Sequence, residues 1–106
     1  MSDTYVDNLI AAAEEFLVPL RVAEGFHEDK FRKLVLALQA CKAQWAIVDS
    51  IPKRAVGVLV DLFPLTLGCS DTYSGLEADQ VTKAAYDLDI LVSDVVADEN
   101  ENSLTA

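Results

Sequence analysis

One run of thirteen residues, 55–67, constrains the fold of this chain more than any other feature. It reads Ala-Val-Gly-Val-Leu-Val-Asp-Leu-Phe-Pro-Leu-Thr-Leu, and only Asp61 and Thr66 in it are polar. A helix on the surface of a globular protein shows a polar face to water, and this run shows none. We therefore expect it to form the central buried element, against which the segments before and after it pack.

The same run is rich in β-branched residues, which leaves a buried strand as the alternative to a helix. A strand needs a partner, and no other segment of the chain alternates apolar and polar residues with a period of two. The flanking segments instead repeat apolar residues every three or four positions, as amphipathic helices do. Helix is therefore the preferred interpretation for residues 55–67.

Two amphipathic helices are predicted before this run. The first covers residues 4–17, after which Pro19 kinks or ends it and Gly25 serves as a left-handed C-cap residue. The second lies within residues 26–49 and has one continuous apolar stripe. That stripe is formed by Phe31, Leu34, Val35, Leu38, Cys41, Trp45 and Val48.

The central run belongs to a third helix, and a fourth follows it. Ser50 can cap the third helix, which is expected to run to about residue 62, after which Pro64 ends or kinks it and Gly68 closes it. After a loop, the fourth helix covers residues 74–97 and opens with a capping box, in which Ser74 and Glu77 bond to each other's backbone N–H. Its apolar seam is formed by Val81, Ala84, Ala85, Leu88, Leu91, Val92 and Val95.

These segments indicate an all-α protein, a four-helix up-down bundle-like domain with an apolar central third helix. A chain of 106 residues forms one domain. We expect residues 1–98 to be this helical domain and residues 99–106 to be a flexible, disordered acidic tail. A bundle this small has difficulty burying every side of one helix, so the third helix is either wrapped by the other three or partly exposed to a second copy of the chain.

The net charge of −10 is unevenly distributed along the chain. Residues 1–26 carry −4, residues 27–58 carry +3 and residues 59–106 carry −9. One interpretation is self-complementarity, in which the acidic last helix lies beside the basic middle of the chain. The other is an anionic surface that attracts a basic partner and repels nucleic acid.

Several features indicate a soluble protein of the cytoplasm. No uninterrupted apolar run reaches the roughly 18–20 residues of a membrane span, and the first residues lack the basic and apolar regions of a signal peptide. Cys41 and Cys69 do not form a CxxC motif, as is usual in reduced intracellular proteins. The expected localisation is cytoplasmic, with no membrane and no nucleic acid among the partners.

The chain offers little that could carry catalysis. No phosphate-binding, nucleophile-elbow or HExxH motif is present. His27, the only histidine, is interpreted as a surface residue at a helix start, and Cys41 as a small core residue. Cys69 is a weak redox candidate in a loop, where Asp71 would disfavour its thiolate. No catalytic residue and no cofactor is expected, and the protein is interpreted as not an enzyme.

Acidic residues of the last helix could suggest a cation site. The candidates Asp87, Asp89, Asp94, Asp98 and Glu99 lack a glycine-bearing calcium loop, so a solvated face is the preferred interpretation and no metal is expected. Asp61 stands apart because it lies in the most apolar run. A bare buried carboxylate is costly, so Asp61 should emerge at a helix end, pair with Lys42, Lys53 or Arg54, or anchor a partner.

The function suggested by these features is protein binding. We expect a small acidic module, of the inhibitor or immunity-protein type, that binds a basic protein; this is an analogy of class rather than a motif match. The alternatives are a self-assembling homodimeric structural or accessory protein and a small ligand-binding protein or enzyme of unknown reaction. The residues predicted to bind the partner are Asp61, Asp71, Tyr73, Asp79, Asp87 and Asp94.

Overall fold

The computed structural model describes residues 4–97, which form four α-helices. These are α1 (Thr4–Arg21), α2 (Glu28–Trp45), α3 (Lys53–Gly68) and α4 (Gly75–Val96). A short 3₁₀ helix, Cys69–Thr72, occupies the predicted loop between α3 and α4. The all-α, four-helix prediction is confirmed, and so is helix for residues 55–67. The predicted tail and the acidic residues Asp98 and Glu99 lie outside the described residues.

The helices form two antiparallel hairpins, α1 with α2 and α3 with α4. The hairpins lie side by side, so that α3 packs on α1 and α4 packs on α2. These two helix pairs are parallel, and an ion pair joins each of them. Arg54 of α3 pairs with Asp7 of α1 at 2.6 Å, and Lys42 of α2 pairs with Asp94 of α4 at 3.8 Å. Consecutive helices α2 and α3 therefore lie diagonally opposite, and their backbones do not approach each other closely in the described residues. The directions still alternate along the chain, as in an up-down bundle.

One stripe of each helix faces a common core, as the apolar periodicity predicted. Phe16 of α1 contacts the rings of Phe26 and Phe31, with ring centroids 5.9 and 5.6 Å apart. At the other end of that hairpin, the Trp45 Nε1–H donates to Tyr5 Oη at 3.0 Å. The fully buried larger side chains include Val6, Leu9, Phe16, Leu20, Leu34, Leu38, Leu62, Val81 and Leu88.

The end of α1 differs from the prediction. The helix continues through Pro19 to Arg21, and the left-handed residue that ends it is Ala23, at φ 65°, rather than Gly25. The Glu24 N–H donates to the Pro19 carbonyl and the Ala23 N–H to the Leu20 carbonyl, the bonding pattern of a Schellman motif. Pro19 lacks the N–H that would bond to the Glu15 carbonyl, so α1 loses one hydrogen bond there and continues for only two more residues.

The bounds of α3 also differ from the prediction. Its N-cap is Pro52, with no side-chain cap hydrogen bond, so Ser50 does not cap it. The helix passes through Pro64, so it continues beyond residue 62, and it ends at Gly68, the residue expected to close it. Pro64 is exposed, so its missing N–H and its ring are accommodated on the solvent side without disturbing the buried side.

Candidate interaction surface

The third helix is buried on one side only. Its buried residues are Ala55, Leu59, Leu62 and Thr66, spaced as one helical stripe. The opposite side is exposed, and it carries apolar side chains instead of the charges that a solvent-facing helix usually presents. Of the two predicted alternatives for this helix, the structure therefore shows partial exposure. We call the exposed side the outer face; it is formed by Lys53, Val56, Gly57, Val60, Asp61, Pro64 and Leu65. Arg54, which is also exposed, lies at its edge and pairs with Asp7 of α1.

Exposure is greatest near the middle of the outer face. Val60 is 62% exposed and Val56 is 41% exposed. Between Ala55 and Ser70 the only charged residue is Asp61, so from Val56 to Leu65 the outer face shows water an apolar surface interrupted only by Asp61. Such contiguous patches mark interaction sites more often than singly scattered apolar residues do.

The apolar surface continues onto α1 across a shallow groove. Val18 and Val22 of α1 are 53% and 59% exposed, and Val18 lines a groove of about 250 Å³ together with Val58 and Leu65 of α3. Charged residues of both helices border this groove. They are Glu14, Arg21 and Asp61.

Asp61 has none of the intramolecular partners that were predicted. It is exposed, and no ion pair to it is found in residues 4–97. Lys42 and Arg54 pair with aspartates of other helices, and Lys53 is itself exposed without an ion pair in the described residues. Nor does Asp61 emerge at a helix end, because α3 continues for two further turns. The prediction of pairing within the chain was wrong.

Gly57 lies at the centre of the outer face, four residues from Lys53 and four from Asp61. A glycine inside a helix destabilises it by about 1 kcal/mol relative to alanine. No atom lies within 4 Å of the position that a Gly57 Cβ would occupy, so packing within the described part of the chain does not require the glycine.

The predicted binding residues do not form one surface. Asp87 and Asp94 lie beside α2, where Asp87 lines a groove with Phe31 and Val35 and Asp94 pairs with Lys42. Asp61 lies beside α1, which does not touch α4 in the described residues. Asp79 and Asp71 are both exposed, the former on α4 and the latter in the 3₁₀ helix.

Tyr73 has a structural role in the fold. Its hydroxyl donates to the Leu20 carbonyl at 2.8 Å and accepts from the Gly25 N–H at 3.0 Å. One turn later, Glu77 Oε2 accepts from the Phe26 N–H at 3.0 Å. The predicted capping box is wrong, since Ser74 is the N-cap without a side-chain cap bond and Glu77 satisfies the chain between α1 and α2 instead.

Several basic residues are neutralised by nearby acids. Lys30 and Lys33 both approach Glu15 of α1, at 3.6 and 3.5 Å, and Arg32 pairs with Glu28 at 3.1 Å. The Lys42–Asp94 contact joins the basic middle to the acidic last helix, as the self-complementary interpretation of the charge predicted. Such exposed pairs contribute little to stability individually, typically less than about 1 kcal/mol.

The two cysteines are free thiols inside the fold. Burial raises the pKa of Cys41 to about 11, so this thiol stays protonated at neutral pH. The pKa of Cys69 is also raised by burial, against an opposing effect of the Arg21 charge. Cys69 was predicted to lie in a loop; it is instead buried at the start of the 3₁₀ helix. A protonated, buried thiol is a poor nucleophile.

Other possible sites are less developed. His27 is the N-cap residue of α2 and does not line the groove that holds Asp61. Within residues 4–97, no three metal-binding side chains cluster together. An open groove of about 410 Å³ runs between α1 and α2, with Ala11, Leu36 and Ala40 on its walls; it is a surface furrow crossed by the Lys33–Glu15 pair.

By length and composition alone, the helical segment Lys53–Thr72, of mean hydropathy 1.3, is apolar enough to cross a membrane. Core helices of soluble proteins pass the same test, but here only 28% of the segment is buried. The sequence pattern that predicted burial on all sides therefore belongs to a helix with one uncovered apolar side.

Comparison of the chain with models of protein families, with curated proteins and with solved structures found no match.

The sequence contained an overlooked signal for the outer face. Lys53, Gly57, Val60 and Pro64 recur at four- and three-residue steps, opposite the buried stripe. This second stripe was not predicted because residues 55–67 were expected to be buried on all sides. The exposed positions of Val18 and Val22 were not predicted because α1 was expected to bend or stop before Pro19.

Proposed function

We propose that this protein is a non-catalytic binding module whose contact surface is the outer face of α3, extended by Val18 and Val22 of α1. The observation that carries the proposal is the exposure of Val60 at the centre of an apolar helix side. Removing apolar surface from water is favourable by about 25 cal/mol per Å². Covering this face therefore supplies a driving force, which is offset in part by the freedom lost on association.

The chemistry of the remaining candidates supports binding over catalysis. Cys41 is fully buried and its pKa is raised, which suits a core residue and not a nucleophile. Cys69 and His27 are not hydrogen-bonded to each other, whereas a nucleophile and its base need that contact.

A capture experiment tests the proposal with one altered residue and one control. Tagged wild-type protein, Val60→Lys and Ile90→Lys are used to recover binding proteins, the chain itself included, from cells of the source organism. Ile90 is a suitable control because it is 65% exposed, close to the 62% of Val60, but lies on α4.

Proteins retained by the wild type and Ile90→Lys, and lost with Val60→Lys, are the expected result. Equal recovery with all three proteins contradicts the proposed surface. Circular dichroism of both variants checks that they fold, which is expected because neither side chain belongs to the core.

A second candidate function is inhibition of a basic protein through the acidic side of α4. It is favoured by the exposure of Asp79 and Asp89 and by the −9 charge of residues 59–106. Association steered by charge weakens as ionic strength rises. A partner of this kind would be recovered at low salt, released at high salt, and lost when Asp79 and Asp89 are both changed to Asn.

A further inference from the structure

We infer that the occupant of the outer face is a second copy of this chain, with the two α3 helices antiparallel and their two-fold axis beside Gly57. The inference rests on the proposed function of the outer face and names its partner. Two-fold dimers are the commonest oligomers, and each such interface must be complementary to itself.

The charges of the outer face meet this requirement. Lys53 and Asp61 lie four residues on either side of Gly57, or about 6 Å along the helix axis in each direction. A two-fold axis at Gly57 places Lys53 opposite Asp61 of the partner subunit, and it does so twice. A parallel arrangement instead brings like charges together, so only the antiparallel pair is complementary.

Neither of these two charges is stabilised by an ion pair within residues 4–97. Lys53 begins α3, where the helix macrodipole favours acidic side chains. Asp61 interrupts the apolar side of the same helix and has no ion pair in the described residues. Two charges of opposite sign that have no ion pair in the described residues, placed symmetrically about one glycine, suit a contact with a second copy of the chain.

Gly57 supplies the space for the contact. Its Cβ position is open to solvent in this structure, and the absence of a side chain lets a second helix backbone approach closely. Val60 and Val56 then pack beside the crossing point, where their exposed surfaces are removed from water.

The size of the face sets the expected strength of the dimer. The outer face is about 20 Å long and 10 Å wide, or roughly 200 Å². Stable interfaces bury about 800 Å² on each partner, so even with the adjoining surface of α1 this contact is small. We therefore expect a reversible dimer with a dissociation constant in the micromolar range.

A membrane is the competing occupant for an apolar helix side. Asp61 disfavours it, because a carboxylate at the centre of an apolar span costs about 3 kcal/mol. Flotation with neutral phosphatidylcholine vesicles separates the two cases. Binding of the wild type to these vesicles, with loss of binding in Val60→Lys, overturns the inference of a second copy.

Sedimentation equilibrium with a charge swap tests the dimer directly. The wild type, Lys53→Asp, Asp61→Lys and the double variant are compared from about 1 μM to 1 mM. Each single substitution creates like-charge contacts across the axis and should raise the dissociation constant at least tenfold. The double variant restores opposite charges and should return the constant to within a few-fold of wild type.

A Gly57→Ala variant gives a second, independent test, because it should stabilise the folded monomer and weaken the dimer. The added methyl group should raise the unfolding temperature at low protein concentration, because alanine favours the helix. It should also raise the dimer dissociation constant, because the helices can no longer approach as closely. A destabilising effect on folding would show that Gly57 serves the monomer, which contradicts the inference.

The outcomes separate this inference from the proposed function. A wild type that stays monomeric up to 1 mM, or a double variant no better than its parents, overturns the inferred dimer. If Val60→Lys still abolishes capture of another protein in that case, the outer face remains a binding surface with a different occupant. Failure of both experiments overturns both proposals.

Discussion

Ala23, and not the predicted Gly25, is the left-handed residue that follows the end of α1. A left-handed conformation costs about 1–2 kcal/mol for residues that have a Cβ, so Gly25 was the expected C-cap. The chain instead ends α1 two residues earlier, at Ala23, and uses Gly25 at φ 112° to direct its N–H toward Tyr73. The choice depends on a tertiary hydrogen bond, which no local pattern reveals.

Replacing Ala23 with glycine should stabilise the protein by about 0.5–1 kcal/mol, because glycine adopts the left-handed conformation without strain. Gly25→Ala is the matched comparison. This substitution should destabilise the protein, because the φ of 112° at residue 25 is unfavourable for alanine and the new Cβ would lie 3.2 Å from Glu77 Oε2. Urea denaturation measures both changes, and shifts of the same sign would contradict this description of the α1 terminus.

The raised pKa of Cys41 predicts a loss of stability at alkaline pH. The folded protein holds this thiol neutral up to about pH 11, whereas the unfolded chain ionises near 9.0. The stabilisation is therefore complete below pH 9 and is lost as the pH rises from 9 to 11. Because tyrosines ionise in the same range, the wild type is compared with Cys41→Ala. The free energy of unfolding of the wild type should fall more steeply above pH 9 than that of the variant. Parallel plots of this free energy against pH would show that the Cys41 thiol does not have the raised pKa.

At the scale of helices, the apolar periodicity predicted which residues are buried better than where helices end. The buried stripe of α4 matches the predicted one, and so does that of α2 except for Val48, which is exposed beyond the end of the helix. Both internal prolines were predicted to kink or end their helices, and both helices continue through them. Pro19 lies close to a helix terminus and Pro64 on the exposed side, and these placements follow from tertiary structure. The Ser74–Glu77 capping box was also wrong because of a tertiary contact. Glu77 accepts a hydrogen bond from the Phe26 N–H and not from the backbone of Ser74.

Tyr73 is expected to be essential for joining the two hairpins. Tyr73→Phe leaves the Leu20 carbonyl and the Gly25 N–H without their partner, which should cost about 1–3 kcal/mol of stability. Tyr86→Phe is the control, because Tyr86 is 51% exposed and contacts Phe63 through its ring. Denaturation compares the variants, and hydrogen exchange at Gly25 should accelerate only in Tyr73→Phe. Equal stability of the two variants would refute this role.

For the whole molecule, the sequence indicated four helices but not which of them touch. Each helix of this bundle has two neighbours, and those of α3 are α1 and α4. A helix at the corner of a bundle buries one side, so an apolar run that lacks a polar side must expose the rest. The candidate surface followed from that placement, and the acidic residues chosen from the sequence are spread over opposite sides of the bundle.

The most direct test is a dilution series followed by nuclear magnetic resonance of the backbone amides. Chemical shifts should change with protein concentration at Val56, Gly57, Val60 and Asp61 of α3, and at Val18 and Val22 of α1. The amides of Asp79, Asp87 and Asp94 should stay unchanged. Concentration-dependent shifts confined to α4, or none at all up to about 1 mM, would contradict self-association through the outer face.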